Sequence, residues 1–186
     1  MPKSRLEAGS VEVLSDVVGA SGALVLEAQT ATLTMAPDAR VTGSNVSLKA
    51  AGDVTLGQVS GQNVSVEAVA GSILKAQGSD RNLTAAQLQL RTGQGGGVGT
   101  AAAPLDSQVG SFDANVGSVG LNLRQPTALS AGSLVSAGPV ALTGGGPATI
   151  AGDFSAPSPQ AFAAPVTVRS ANVDVDAPLT GQRIDF

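Results

Sequence analysis

Apolar and polar residues alternate in short runs along most of the chain, and the runs recur. Asn45-Val46-Ser47-Leu48-Lys49-Ala50 returns further on as Asn63-Val64-Ser65-Val66-Glu67-Ala68. Gly52-Asp53-Val54-Thr55-Leu56 returns at almost the same offset, more loosely, as Gly71-Ser72-Ile73-Leu74. A third copy is expected at Asn82-Leu83-Thr84, one such offset beyond Asn63. Within a copy, Val46, Leu48 and Ala50 alternate with Ser47 and Lys49, the period of two of a strand with one buried face. A repeat of roughly 20 residues marks a solenoid in which each copy supplies one turn.

The same alternation predicts strands at Ala23-Leu24-Val25-Leu26-Glu27-Ala28 and Thr32-Leu33-Thr34-Met35, the latter closed by a turn at Ala36-Pro37-Asp38-Ala39. Each coil therefore holds at least two strands. The Ala, Gln and Leu content between Ser79 and Leu90 would also suit a short helix, but Leu88 and Leu90 flank Gln89 and the reading is strand. Alternation returns at Gly120-Leu121-Asn122-Leu123-Arg124 and in four later phrases, from Pro139, Ala148, Pro165 and Asn172. Two stretches break the rhythm and predict loops: the glycine-rich 93–104, and 154–165, which carries three prolines and two phenylalanines. The expected architecture is all-β, a parallel β-helix of about 18–22 residues per coil forming one continuous segment over 1–186.

Composition narrows the picture. Hydrophobic residues make up 42% of the chain but aromatics only 2%, so the core consists of small layers, which suits a narrow tube better than a wide sandwich. The 24 Gly and 10 Pro read as spaced corners, because the β-branched runs between them are too rich for a solvated coil. A net charge of −4, with 10 Lys and Arg scattered along the chain, offers no stripe for phosphates, so nucleic acid is not an expected partner. Without Cys or His there is no disulfide, thiol nucleophile or histidine base, and neither a cofactor nor catalysis is expected. Glu7 and Glu12 interrupt the apolar core that a signal peptide would need, and no run reaches the length of a membrane helix, so membrane insertion is not expected. The sequence reads as an internal piece of a longer chain.

Four groups of residues merit a chemical reading. Asp174 and Asp176 lie on one strand face, about 7 Å apart, as a cation site or a glycosidase pair would require. Their alternation with Val173 and Val175 is equally that of a solvated face, and no His or basic cluster completes a site. Gly95-Gly96-Gly97-Val98-Gly99-Thr100 lacks the Asp of a calcium nonapeptide and the following helix of a phosphate loop, and reads as a corner. Asn45, Asn63 and Asn82 each begin an N-glycosylation sequon, but Asn at a corner that stacks its amide along the axis explains the same recurrence. Phe154 and Phe162 either form a small interaction patch on the second loop or tuck onto the rod.

Asn45-Val46-Ser47-Leu48, Gly52-Asp53-Val54-Thr55-Leu56 and the passage from Gly97-Val98-Gly99-Thr100 to Pro104-Leu105 resemble the filamentous haemagglutinin family of large bacterial exoproteins exported by two-partner secretion. The likeness covers most of residues 22–155. It implies a right-handed parallel β-helix, secreted to the bacterial cell surface as the shaft of an adhesin, with a host-cell glycan or protein receptor and an outer-membrane transporter as partners of the full-length protein. A stalk of a contact-dependent growth inhibition toxin and a polysaccharide-active β-helix enzyme are the alternatives. The family's secretion-domain Asn-Pro-Asn motifs and an Arg-Gly-Asp tripeptide are missing from this sequence, so no binding residue carries over. Open coil ends lead to an expectation of end-to-end self-association.

Overall fold

The computed structural model describes residues 3–19 and 22–156 and, beyond them, the strands at 160–162, 166–168, 173–175, 179–181 and 184–185. The first coil is β1 (Lys3–Ala8), β2 (Val11–Val13) and β3 (Val17–Val18), and the second is β4 (Ala23–Ala28), β5 (Leu33–Met35) and β6 (Arg40–Thr42). Then follow β7 (Asn45–Ala50), β8 (Val54–Leu56), β9 (Gln58–Ala68), β10 (Ile73–Lys75), β11 (Leu83–Thr92), β12 (Gly97–Val98) and β13 (Leu105–Val116). The series continues with β14 (Gly120–Gln125), β15 (Leu129–Ser136), β16 (Val140–Gly144), β17 (Ala148–Ile150) and β18 (Phe154–Ala156). It ends with β19 (Gln160–Phe162), β20 (Val166–Val168), β21 (Val173–Val175), β22 (Leu179–Gly181) and β23 (Ile184–Asp185). All of these strands pair in parallel with the coil before or after, giving a β-solenoid of about seven turns.

The stack has three faces. On the first, β1, β4, β7 and the second half of β9 stack in register, followed by the second halves of β11 and β13. The second face stacks β2, β5, β8, β10, β12, β14 and β16. On the third, β3 and β6 are followed by the opening residues of β9 and β11. The long strands β9, β11 and β13 thus turn the corner from the third face to the first. In β9 the corner falls at Gly61, where a Cβ would lie 2.7 Å from the Gly43 carbonyl oxygen, so a side chain has no room.

Alternation places one row of each face inside. Leu24, Val46, Val64, Leu88 and Phe112 form one column of like register, and Leu26, Leu48, Val66 and Leu90 the next. All are buried, as is the second-face column Leu33, Val54, Ile73, Val98 and Leu121. Phe112 is paired with Ala131, so the one large ring in that column meets a small neighbour. No coil could bury these residues alone, and stacking makes the core continuous.

Coil length varies more widely than the sequence spacing indicates. The step from Asn45 to its stacked partner Asn63 is 18, and the step from Ser72 to Gly97 is 25. Insertions at two corners account for the long coils. The partner of Asn63 in the next coil is Gln87, not Asn82. Each of the two stretches expected to loop also contains strand residues. Within 93–104, β12 forms a rung with Val98 fully buried, leaving a turn before it and a tight hairpin after it. In that hairpin Thr100 and Ala103 exchange backbone hydrogen bonds at 3.0 and 3.1 Å. Within 154–165, β18 and β19 are strands free of proline, and Phe154 is an inward residue in register with Leu134, 1% exposed.

Candidate functional site

Outward residues of the first face stand in rows along the axis, because parallel in-register strands set residue above residue. One row is Ala23, Asn45, Asn63, Gln87 and Ser111, and the next is Val25, Ser47, Ser65, Gln89 and Asp113. Between them runs a depression of about 420 Å³ that crosses these five coils and reaches Gly132 of the next, with the Leu24 to Leu88 column along its floor. A second depression of about 320 Å³ continues it past Gln89 and Asp113 toward Asp153. The walls of the first are amides and hydroxyls, with almost no charge.

Asn45 and Asn63 stack, the Asn63 Nδ2 donating to Asn45 Oδ1 at 2.7 Å, as the amide-ladder reading expects. Both are exposed. Asn82 is different. It is fully buried, its Nδ2 donates to the carbonyls of Leu56 and Gly57 at 3.0 and 3.1 Å and to Ser79 Oγ at 2.6 Å, and its Oδ1 accepts the Asp106 N–H at 3.1 Å. Its sequon is closed to modification in the folded chain, since the amide is consumed inside a corner.

The second face carries an ion cluster that the sequence reading missed. Asp106, 8% exposed, accepts from Lys75 Nζ and from Arg124 Nε, each at 2.5 Å. Burial would raise the Asp106 carboxyl, but the hydrogen bonds from Arg124 and Lys75, backed by both positive charges, outweigh it and hold the group below its ordinary 3.8. The hydrogen bond to Asp106 in turn raises Arg124. Asp106 and Arg124 are one coil apart in sequence, a step of 18 that the repeat offered as a signal, whereas the step of 31 from Lys75 to Asp106 matches no coil length. The cluster braces the hairpin coil and opens on no cavity described above.

Gln125 is the other buried amide. Its Oε1 accepts the Val109 N–H at 2.9 Å, and its Nε2 donates to the carbonyls of Val109 and Ala128 at 3.2 and 2.6 Å. One side chain thereby joins two coils where β13 and the residues after β14 share no backbone ladder. On the third face, Arg40, Arg81, Thr42, Ser60 and Thr84 border a shallow cleft of about 340 Å³, whose lining carries two arginines and no acidic residue.

Asp176 and the side chains of Phe162 and Asp174 lie outside the described residues, so the carboxylate pair and one of the two phenylalanines are not placed. Phe154 belongs to the core and not to a surface patch. Among the described residues no group of three or more His, Cys, Asp or Glu is placed to hold a metal ion, and no helix is long and apolar enough to cross a membrane. In comparisons with known proteins, no family model, curated protein or solved structure matches this chain.

Proposed function

We propose that this chain is a shaft segment of a large secreted bacterial surface adhesin of filamentous haemagglutinin type, which spaces or presents binding regions toward a host-cell glycan or protein receptor. The observation that carries the reading is the parallel stacking of about seven turns, with small polar residues outside and aliphatic columns inside. Such a stack transmits length and stiffness without demanding a catalytic centre, since each coil is held by its neighbours. The phrases around Asn45, Gly52 and Gly97 supply the family likeness, and export through an outer-membrane transporter comes with it.

External protease applied to intact cells of the producing bacterium tests the reading. A shaft is degraded or released while cytosolic markers stay whole. A chain that survives until the cells are lysed is not a surface shaft.

A further inference from the structure

The trough on the first face has a chemistry of its own. Of the side chains that line its main section, only Asp113 is charged, and one of its carboxylate oxygens is occupied by the Ser133 N–H at 2.8 Å. Gln87 and Gln89 stand on one rung, on either side of the buried Leu88, and neither amide has a hydrogen-bond partner among the described residues. Alternate residues on one strand, they form a pincer about 7 Å wide. Asn45 and Asn63 use one donor and one acceptor on each other, leaving the Asn63 side-chain carbonyl free of that pair.

We propose that this trough binds a linear, neutral glycan chain lying parallel to the solenoid axis. Side-chain amides both donate and accept, as sugar hydroxyls do, so each rung can meet each sugar without a change of charge. Rungs recur about every 4.8 Å, close to the advance of one hexose in an extended chain, so successive sugars meet equivalent groups. The alternatives fit worse. A protein partner would need aromatic or large apolar anchors, which the trough lacks. Nucleic acid or an acidic glycan would need cations, and the main section holds none. Shallow walls give each rung little affinity, so binding accumulates along the chain.

The proposal does not rest on the shaft reading. Shaft placement is read by protease on intact cells, and glycan binding by titration of the purified chain, so either can fail alone. Calorimetric titration with neutral glucose, galactose and mannose oligomers, each from disaccharide to octasaccharide, is the test. At least one series should bind with affinity that rises with length and levels off once the oligomer spans five rungs, about 19 Å. Added salt should leave that binding unchanged. The double variant Gln87→Ala/Gln89→Ala should weaken it about tenfold while melting as the parent does. A third-face variant, Arg40→Ala/Arg81→Ala, should bind as the parent does. Absence of binding in all three series, indifference to the glutamine variant, or binding only of anionic chains that salt abolishes would each overturn the proposal.

Discussion

Asn82 and Asp106 sit one coil apart and do different work: the Asn82 amide satisfies buried backbone groups at a corner, whereas the Asp106 carboxylate pairs with Lys75 and the half-exposed Arg124. Removing the Asn82 amide takes the side-chain partner from the Gly57 carbonyl and the Asp106 N–H together, while the Leu56 carbonyl keeps the Ala76 N–H at 2.9 Å. Asn82→Ala should therefore cost about 2–4 kcal/mol in urea unfolding, against less than about 1 kcal/mol for the exposed Asn63→Ala. Asp106 makes stability depend on pH. Its folded value lies below the unfolded 3.8, so its contribution is complete above that value and is lost as the pH falls through the depressed folded one. Thermal melts should show Asp106→Asn less stable than the parent at neutral pH, with the gap closing in acid. A gap that stays constant down to strong acid would sink the assignment. The role of Asn82 could not be read from sequence, because it shares its local phrase with Asn45 and Asn63. What separates them is the insertion beside it, which moves Gln87 into the rung.

Between elements, corners decide what the stack tolerates. Gly61 turns β9 against the Gly43 carbonyl, whereas Gly95 has nothing within 4 Å of where its Cβ would be. Gly61→Ala should destabilise by about 1–3 kcal/mol and Gly95→Ala by less than about 0.5 kcal/mol, a contrast that chemical denaturation resolves. The strands themselves were legible, because alternation is a local signal: Ala23–Ala28 and Asn45–Ala50 form as the pattern predicts. Coil length was less so. It depends on how many residues each corner inserts, and a corner leaves no periodic trace. The turn at 76–79 illustrates this: its Gly78 approaches Pro37, two coils away, because the intervening coil passes tightly through Gly57. The trough was invisible in sequence for a related reason. Asn45, Asn63, Gln87 and Ser111 become one row only when the unequal lengths of their coils are known.

For the whole molecule, stability is a nearest-neighbour property, so removal of one full period should leave a folded rod. Deleting residues 45–62 joins Ser44 to Asn63 in equivalent register. The shortened chain should keep its β-rich circular dichroism and unfold cooperatively with a smaller denaturant slope, and loss of the β signal would contradict this. Among the described residues, the first coil exposes Leu6, Leu14 and Val18 at 51%, 71% and 74%, and its strands β1, β2 and β3 pair on one side, with β4, β5 and β6. Sedimentation should accordingly show concentration-dependent association that Leu14→Lys/Val18→Lys reduces, and a monomer at every concentration would count against it. The uneven coils have a mechanical consequence as well. Tension applied to the two ends of the chain peels the rod from its extremities, one coil at a time, each release lengthening the tether by about 60–90 Å as the coil runs from its shortest to its longest. The hairpin and turn insertions thus become a sequence of unequal steps in a force–extension trace, by which the order of rupture along the rod can be identified.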